Sequence, residues 1–425
     1  MKNSFVLKGD ICFSKNPDDL ICIKDGYAVC SEGKSAGVYT DLPAEYAHLP
    51  LKDYSGKLIT PGLVDLHVHA PQYAFRGSGM DLELLEWLNT YTFPEESKYI
   101  DINYADEAYS YFVEDLKQGP NTRACIFATI HLPATIKLMD LLENSGLVTM
   151  VGKVNMDRNS SPALTEASAE QSAADTERWL EMLQGKYQHT KPVLTPRFIP
   201  SCSDKLMELL KKLQIKYQLP VQSHLSENLG EIAWVKELCP QAATYGHAYD
   251  DFGLFGGKNC PTVMAHCVYS DEQEIALMKE RGVFVAHCPA SNTNLSSGIA
   301  PVRKYLERGL AMGLGSDVAG GTKMSIFQAM ADAIQVSKLR WRLVDEKLAP
   351  LTAAEAFYLG TMGGGAFFGK VGSFMKGYEF DALVIDDSSY NHHLELSLEQ
   401  RLEKTIYLVE NKDLLHKYVQ GREIF

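Results

Sequence analysis

Short apolar runs recur along the middle of the chain, and each is followed by a loop and then by a segment with helical periodicity. Runs that are apolar at nearly every position are typical of parallel strands buried on both faces. Eight runs fit this pattern, and they span residues 63–69, 124–129, 148–156, 193–199, 221–224, 262–266, 283–287 and 311–317.

Amphipathic segments separate the apolar runs, with apolar residues at the spacing of one helix face. The clearest of them span residues 104–117, 173–183, 204–217, 229–238 and 271–279. Eight strands alternating with helices predict an α/β protein with a (β/α)8 TIM barrel. An open doubly wound sheet fits the same alternation, because a count of strands does not by itself close a barrel.

The two ends of the chain lack this alternation. The N-terminal end has strand-like runs at 5–7 and 20–23 and a turn at 24–26. The C-terminal end has such runs at 382–385 and 405–409 and a turn at 419–421. Neither end carries enough strands to bury a core alone. We therefore expect a small β-sandwich built from both termini, with residues 1–60 and 370–425 as its two parts and residues 61–369 as the barrel domain.

Composition and charge narrow the possible functions. Of the 425 residues, 45% are hydrophobic and 22% are charged, which suits a globular protein with a sizeable core. The formal net charge of −13 disfavours phosphate backbones and anionic membranes, so we expect neither nucleic acid nor membrane as a partner. No apolar run is long enough to cross a bilayer, and the first residues lack the pattern of a signal peptide. We therefore expect a cytoplasmic location.

The nine cysteines are scattered along the chain without a C-x-x-C pair. This pattern predicts reduced thiols rather than a disulfide framework or a cysteine-based zinc site. Histidines and carboxylates are therefore the better candidates for chemistry.

The strongest local pattern is PGLVDLHVH at residues 61–69. Residues two apart on a strand point to the same side, so His67 and His69 can aim two imidazoles at one point. This geometry suits a metal ion, and the carboxyl ends of barrel strands are where such sites form. For this pair alone, packed and hydrogen-bonded histidines are the alternative.

Three more predicted strands end in residues of the same kind, namely His224, His266 and Asp317. Four histidines and one aspartate at the carboxyl ends of predicted strands together indicate a metal centre. Ligands with imidazole nitrogen and carboxylate oxygen suit Zn²⁺, with Fe²⁺ or Mn²⁺ as less favoured choices.

Several other histidines fit simpler roles. We expect structural hydrogen bonds for His131 and His287, which follow predicted strands. We expect solvation for the histidines of loops and end segments, which are His48, His189, His392, His393 and His416.

A metal centre of this kind predicts a hydrolytic reaction, because a bound divalent ion lowers the pKa of water toward neutrality. Glu227 lies three residues after His224, in the loop above the predicted metal. From there it could move a proton between water and substrate. Its alternative role is that of a glutamate at the positive end of the helix that begins near Asn228.

Longer blocks resemble guanine deaminases of the amidohydrolase superfamily, from about residue 58 to residue 386. The H-x-H pair is common to the superfamily, whereas HAPQYAF at 69–75, LEWL at 85–88 and YTFP at 91–94 are similar to guanine deaminases in particular. Further similar blocks are TPRFIP at 195–200, SHLSEN at 223–228, AHCVY at 265–269 and GSDVAGG at 315–321. The chain departs from the family pattern at Leu66, 119–123, Leu82, Glu83 and Ser316, and none of these is a predicted ligand.

The resemblance implies a mononuclear metal site. One Zn²⁺ per chain would be held by His67, His69, His224 and Asp317, with Fe²⁺ as the other possible metal. His266 would lie beside the metal-bound water as a hydrogen-bond partner or loose ligand.

The resemblance also implies a substrate and a reaction, the hydrolysis of guanine to xanthine and ammonia. Gln72 and Arg197 would hydrogen-bond the edges of guanine, and Phe198 would form part of the pocket wall. Glu227 would be the proton shuttle, and Asp317 would accept a proton from water. We also expect a homodimer.

Other functions remain open at this point. A related amidohydrolase could deaminate another purine, a pyrimidine or a triazine, although Gln72 and the Arg197-Phe198 pair favour guanine. A binuclear hydrolase would need a modified lysine ending the fourth strand, and residues 193–200 contain no lysine. A catalytically dead barrel acting as a binding protein would lack a ligand or the shuttle, and none is missing.

Overall fold

Strands occur along nearly the whole chain of the computed structural model, which describes residues 3–391 and 393–425. The N-terminal strands are β1 (Phe5–Asn16), β2 (Asp19–Ser31), β3 (Lys34–Tyr39) and β4 (Leu51–Pro61). The middle strands are β5 (Leu63–His69), β6 (Asn121–Phe127), β7 (Val148–Gly152), β8 (Val154–Asn155), β9 (Thr190–Pro192), β10 (Thr195–Pro196), β11 (Val221–Leu225), β12 (Thr262–His266), β13 (Phe284–His287) and β14 (Met312–Leu314). The C-terminal strands are β15 (Ala382–Ile385), β16 (Leu414–Val419) and β17 (Arg422–Glu423).

Helices follow most of the middle strands, so the protein has mixed α/β architecture. They are α1 (Leu84–Trp87), α2 (Phe93–Glu96), α3 (Ile102–Gln118), α4 (Leu132–Ser145), α5 (Ala169–Met182), α6 (Asp204–Tyr217), α7 (Leu229–Leu238), α8 (Tyr245–Asp250), α9 (Glu272–Arg281), α10 (Pro289–Asn294), α11 (Val302–Glu307), α12 (Ile326–Leu343), α13 (Ala353–Tyr358), α14 (Ser388–Asn391) and α15 (Leu398–Leu408). Asp101, Ser203 and Asn228 cap α3, α6 and α7 by accepting hydrogen bonds from free backbone N–H groups of the first turn. Within the described part of the chain, we find no helix with the length and apolar character needed to cross a membrane.

Parallel pairing connects the middle strands and brings their carboxyl ends to one side. The strands pair in the orders β5-β6-β7-β9, β8-β10 and β11-β12-β13-β14. Leu194 connects β11 to the strands before it. Its N–H donates to the carbonyl of Pro220 at 2.9 Å, and its carbonyl accepts from the N–H of Gln222 at 3.0 Å. Beyond β14, the N–H of Asp317 donates to the carbonyl of His67 at 2.8 Å. The ends of the last and first parallel strands are therefore hydrogen-bonded to each other.

The terminal strands form one seven-stranded sheet in the order β17-β16-β15-β4-β1-β2-β3. Both ends of the chain contribute to it, as expected, because β4 pairs antiparallel with β15 and parallel with β1. An aromatic cluster stabilises the junction between the N-terminal and C-terminal parts of this sheet. The ring centroids of Phe5 and Phe380 are 5.5 Å apart, and those of Phe374 and Phe380 are 5.4 Å apart.

Two predicted elements in the terminal segments are wrong. Residues 405–409, expected to be a strand, belong mostly to α15, because a capping box of Ser397 and Gln400 starts that helix and its buried face carries Leu402 and Ile406. Residues 24–26, expected to be a turn, lie inside β2 opposite an irregularity in β1. The turn at 419–421 is confirmed between β16 and β17, with positive φ at Gln420 and Gly421.

A buried ion pair joins the parallel strands to the terminal sheet. Arg123 of β6 is 2% exposed, and its Nε lies 2.7 Å from Oδ2 of Asp381, just before β15. Its Nη2 lies 2.6 Å from Oε2 of Glu379. The two regions are therefore connected by buried charges as well as by strand pairing.

Candidate active site

The carboxyl ends of the parallel strands surround one cavity. Eight of the nine predicted site residues line it, and His67, the ninth, lies 3.1 Å from Asp317. The eight are His69, Gln72, Arg197, Phe198, His224, Glu227, His266 and Asp317. The structure therefore brings together side chains from five separate parts of the sequence.

Three imidazoles and one carboxylate converge at the bottom of the cavity. The Nε2 atom of His69 lies 3.2 Å from that of His67 and 3.3 Å from that of His224. The Oδ1 atom of Asp317 lies 3.1 Å from Nε2 of His67 and 3.5 Å from Nε2 of His69. Imidazole nitrogens that face one another cannot all be satisfied by mutual hydrogen bonds, whereas a divalent ion would take a lone pair from each.

The protonation of this cluster also suits a metal. Burial holds the pKa values of His69 and His224 well below the usual range, and the neighbouring His67 lowers them further. Burial alone would raise the pKa of Asp317, but the imidazoles of His67 and His266 outweigh it and keep that pKa well below normal. Neutral imidazoles and an ionised carboxylate are the forms that bind metal ions.

Further hydrogen bonds orient the candidate ligands. Nδ1 of His224 lies 2.6 Å from the carbonyl oxygen of Arg197, so a proton there leaves the Nε2 lone pair for a metal. Asp65 accepts from the N–H of His67 at 3.1 Å and from the Ser316 hydroxyl at 2.5 Å. Ser316, a departure from the family pattern, therefore still hydrogen-bonds across to β5.

The turns after the strands hold unusual backbone conformations. Ser226, His266, Cys267 and Asp317 are non-glycine residues with φ values of 46°, 73°, 50° and 45°. The left-handed region costs such residues of order 1–3 kcal/mol each, and these residues concentrate at functional sites. Here the turns direct His266 and Asp317 into the cavity.

Glu227 lies over the cluster with its carboxylate inside the cavity. Oε2 is 3.3 Å from Nε2 of His266, and Oε1 accepts a hydrogen bond from the Ser297 hydroxyl at 2.9 Å. Burial raises the pKa of Glu227 to about 7, although His266 acts in the opposite direction. A carboxyl group with a pKa near neutrality can both donate and accept a proton at physiological pH. At the start of α7, Glu231 forms a capping box with Asn228.

His266 differs electrostatically from the other three histidines. Burial would lower its pKa, but Glu227 and Asp317 more than offset that effect, so its pKa is raised. Its Nδ1 lies 2.9 Å from Oδ1 of Asn292, and its Nε2 lies 3.8 Å from Oδ2 of Asp317. These contacts suit a hydrogen-bond partner between the two carboxylates better than a close ligand.

A cluster of polar side chains forms one side of the cavity. Gln72 and Arg197, both 3% exposed, contact the carboxylate of Glu96, which is 2% exposed. Nε2 of Gln72 donates to Glu96 at 2.9 Å, and Nη2 of Arg197 donates to it at 3.1 Å. Oε1 of Gln72 accepts from the N–H of Ala319 at 3.2 Å. Both predicted contact residues are therefore fixed in place.

Apolar side chains form the rest of the wall. Phe198 lines the cavity, and its ring centroid lies 6.2 Å from that of Trp234. Leu84, Trp87 and Leu88 come from α1 and the π-helical turn that follows it. A cavity with apolar walls and a few polar groups suits an aromatic heterocycle.

Sequence reasoning missed several residues of the site. Glu96 falls two residues beyond the YTFP block at 91–94, and nothing in its spacing predicts a contact with Arg197. Asn292 lies in α10 and Ser297 lies after it, and no local pattern marks either residue. The structural hydrogen bonds expected for the His287 ring are not found, because both of its ring nitrogens lack a partner among the described residues. His392, for which solvation was expected, lies outside the described residues.

Comparisons with known proteins agree with this geometry. The model of the amidohydrolase family matches residues 58–424. Guanine deaminase from Dictyostelium discoideum is 40% identical over 380 residues, which cover 88% of this chain and 83% of that protein. Guanine deaminase from Escherichia coli is 35% identical over 388 residues, covering 88% and 84%.

A solved structure matches over the full length of both chains. It is guanine deaminase from C. acetobutylicum with guanine bound in the active site, and it has 48% sequence identity and a TM-score of 0.96. The resemblance seen in the sequence is thereby confirmed. This chain belongs to the amidohydrolase family, among its guanine deaminases.

Proposed function

We propose that this protein hydrolyses guanine to xanthine and ammonia. The observation that carries the proposal is the meeting, in one cavity, of the His/Asp cluster, Glu227 and the Gln72–Arg197 pair. The full-length likeness to a guanine deaminase with bound guanine supports it. Purine salvage or catabolism would then be its cellular context.

We infer that one divalent ion, Zn²⁺ or else Fe²⁺, is held by His67, His69, His224 and Asp317. The candidate groupings of ligands both include His67, which supports a single centre. Such an ion lowers the pKa of water and so supplies a nucleophile near neutral pH.

The chain's own residues then move the protons. Asp317 accepts a proton from the attacking water, while His266 holds a hydrogen bond beside it. Glu227 delivers a proton to N3 of guanine as water attacks C2, and it later assists the departure of ammonia. Gln72 and Arg197 bind the polar edges of the base, and Phe198 covers part of the ring.

We also propose the finer architecture and context. The hydrogen bonds that residues just after β14 form with β5 support a closed (β/α)8 barrel over residues 61–369. The terminal sheet would belong to the small β-sandwich of residues 1–60 and 370–425. We further propose a cytoplasmic homodimer that binds no nucleic acid or membrane.

The test is a substrate panel with purified, metal-loaded protein. Ammonia release from guanine, adenine and cytosine is measured at equal concentrations, with loss of guanine followed in parallel. We expect guanine to react faster by about 10⁴ in kcat/KM, because the wrong base leaves buried polar groups unpaired. Faster release from adenine or cytosine would refute the proposed substrate.

A further inference from the structure

Glu96 is a buried carboxylate that no step of the proposed reaction uses. It ends α2, and its two oxygens contact Gln72 and Arg197. Nη1 of Arg197 completes a two-pronged ion pair with it at 2.5 Å. Two side chains that reach the cavity from distant parts of the sequence are thus held by one group.

We propose that Glu96 is a positioning residue that makes the pocket selective for a purine with an oxygen at C6. The inference rests on the proposed function, because it concerns how guanine is recognised. Glu96 accepts one N–H of the Gln72 amide and thereby determines which end of that amide is nitrogen. The N–H of Ala319 donates to the other end, which agrees with this orientation.

On Gln72 and Arg197, the polar groups without a hydrogen-bond partner among the described residues are mainly donors. They are the second N–H of Gln72 Nε2 and the N–H groups of Arg197 that do not pair with Glu96. Donors match a ring carbonyl, and a ring that lacks an oxygen at C6 leaves them without a partner. Because an unpaired buried donor is costly, the penalty falls on the wrong base.

Glu96 also balances the charge of this wall. Arg197 is almost fully buried, and its guanidinium carbon lies 5.3 Å from the ring centroid of Phe93. A buried guanidinium without a counter-charge would be poorly placed to bind a neutral base. The carboxylate therefore fixes both the position and the electrostatic setting of Arg197.

Glu95 provides a matched control next in the sequence. It is 8% exposed, and its carboxylate contacts Tyr104 and Lys98 rather than Gln72 or Arg197. Glu95→Gln therefore removes a carboxylate from the same helix without touching the side chains that face the cavity.

The experiment compares kcat/KM for guanine with that for 2-aminopurine, which keeps the amino group at C2 and lacks the oxygen at C6. In Glu96→Gln, we expect the kcat/KM for guanine relative to that for 2-aminopurine to fall roughly 10- to 100-fold, because hydrogen bonds to a charged group are lost. The fall should come mainly from a higher KM for guanine. Glu95→Gln should keep the wild-type ratio.

Three outcomes would overturn the inference. One is an equal loss on both substrates in Glu96→Gln, which would mark Glu96 as merely structural. Another is a wild-type enzyme that deaminates guanine without preferring it to 2-aminopurine. A wild type inactive on guanine but active on another base would instead refute the proposed function, and this inference with it.

A second variant keeps the test decisive if Glu96→Gln fails to fold, as judged by its urea unfolding curve. Glu96→Asp retains the charge but withdraws the carboxylate by one methylene. We expect its ratio of kcat/KM values, guanine over 2-aminopurine, to lie below that of the wild type and above that of an enzyme without a carboxylate at position 96. A folded Glu96→Asp with the full wild-type ratio would contradict the positioning role.

Discussion

At the scale of single residues, Glu227 is the group whose removal should affect the chemistry most. Glu227→Gln keeps the size of the side chain and removes its titratable proton. We expect kcat to fall by about 10² to 10⁴, the usual contribution of general acid–base catalysis, with the metal retained. Steady-state kinetics and metal analysis of the same preparation measure both effects.

Glu237→Gln is the control for that substitution, because Glu237 is an exposed glutamate of α7 and should leave kcat unchanged. A Glu227→Gln enzyme within about tenfold of the wild type would mean that Glu227 is structural, since that loss is below the usual range.

His224 tests the ligand set. His224→Ala should lose bound metal together with activity, because its Nε2 belongs to the converging cluster. Metal content is measured by elemental analysis after gel filtration. His189→Ala, which changes a half-buried histidine outside the cavity, should retain both. Full metal occupancy in His224→Ala would remove His224 from the ligands.

The sequence could predict the residues at the strand ends, because strand periodicity and the H-x-H spacing act over a few positions. Glu96 could not be predicted as a partner of Arg197, since 101 positions separate them and only the folded chain brings them together. Ser297 holds Glu227 across 70 positions for the same reason. Contacts that depend on the packing of loops leave no local pattern.

At the scale of secondary structure, local signals predicted helices best where a cap and an amphipathic face agree. The predicted bounds 204–217 and 229–238 match α6 and α7, which begin after Ser203 and Asn228. The same signals were present for α15, but the β-branched residues at 405 and 406 favoured a strand. The tertiary packing of a helix face outweighed that preference.

The joint between β6 and the C-terminal segment should be important for stability. Arg123→Ala leaves the buried carboxylate of Asp381, which is 1% exposed, without its counter-charge. Removing one partner of a buried ion pair typically costs about 3–5 kcal/mol. We expect a lower midpoint of urea unfolding. Circular dichroism and residual activity would measure that midpoint.

Lys304→Ala serves as the comparison, because Lys304 pairs with Glu272 at the surface, where such pairs contribute about 0–1 kcal/mol. Equal midpoints for Arg123→Ala and Lys304→Ala would show that the buried pair contributes no more than a surface one.

At the scale of the whole molecule, metal and fold should be linked. We expect about one divalent ion per chain, because the fourth strand offers no bridging lysine. Its removal by a chelator should abolish activity and lower the melting temperature, since the ion binds the folded state only. Adding Zn²⁺ should restore both, and two equivalents bound with similar affinity would contradict the mononuclear site.

The sheet shared by both termini has a consequence for how the protein is made. β4 ends at Pro61, and its partner β15 begins at Ala382, so about 320 residues are synthesised between them. At about 5–20 residues per second, one edge of β4 waits roughly 15–60 s for its partner. An unpaired edge can meanwhile pair with another nascent chain. Slow translation lengthens this wait. In a chain that stops before residue 382, this edge of β4 stays unpaired.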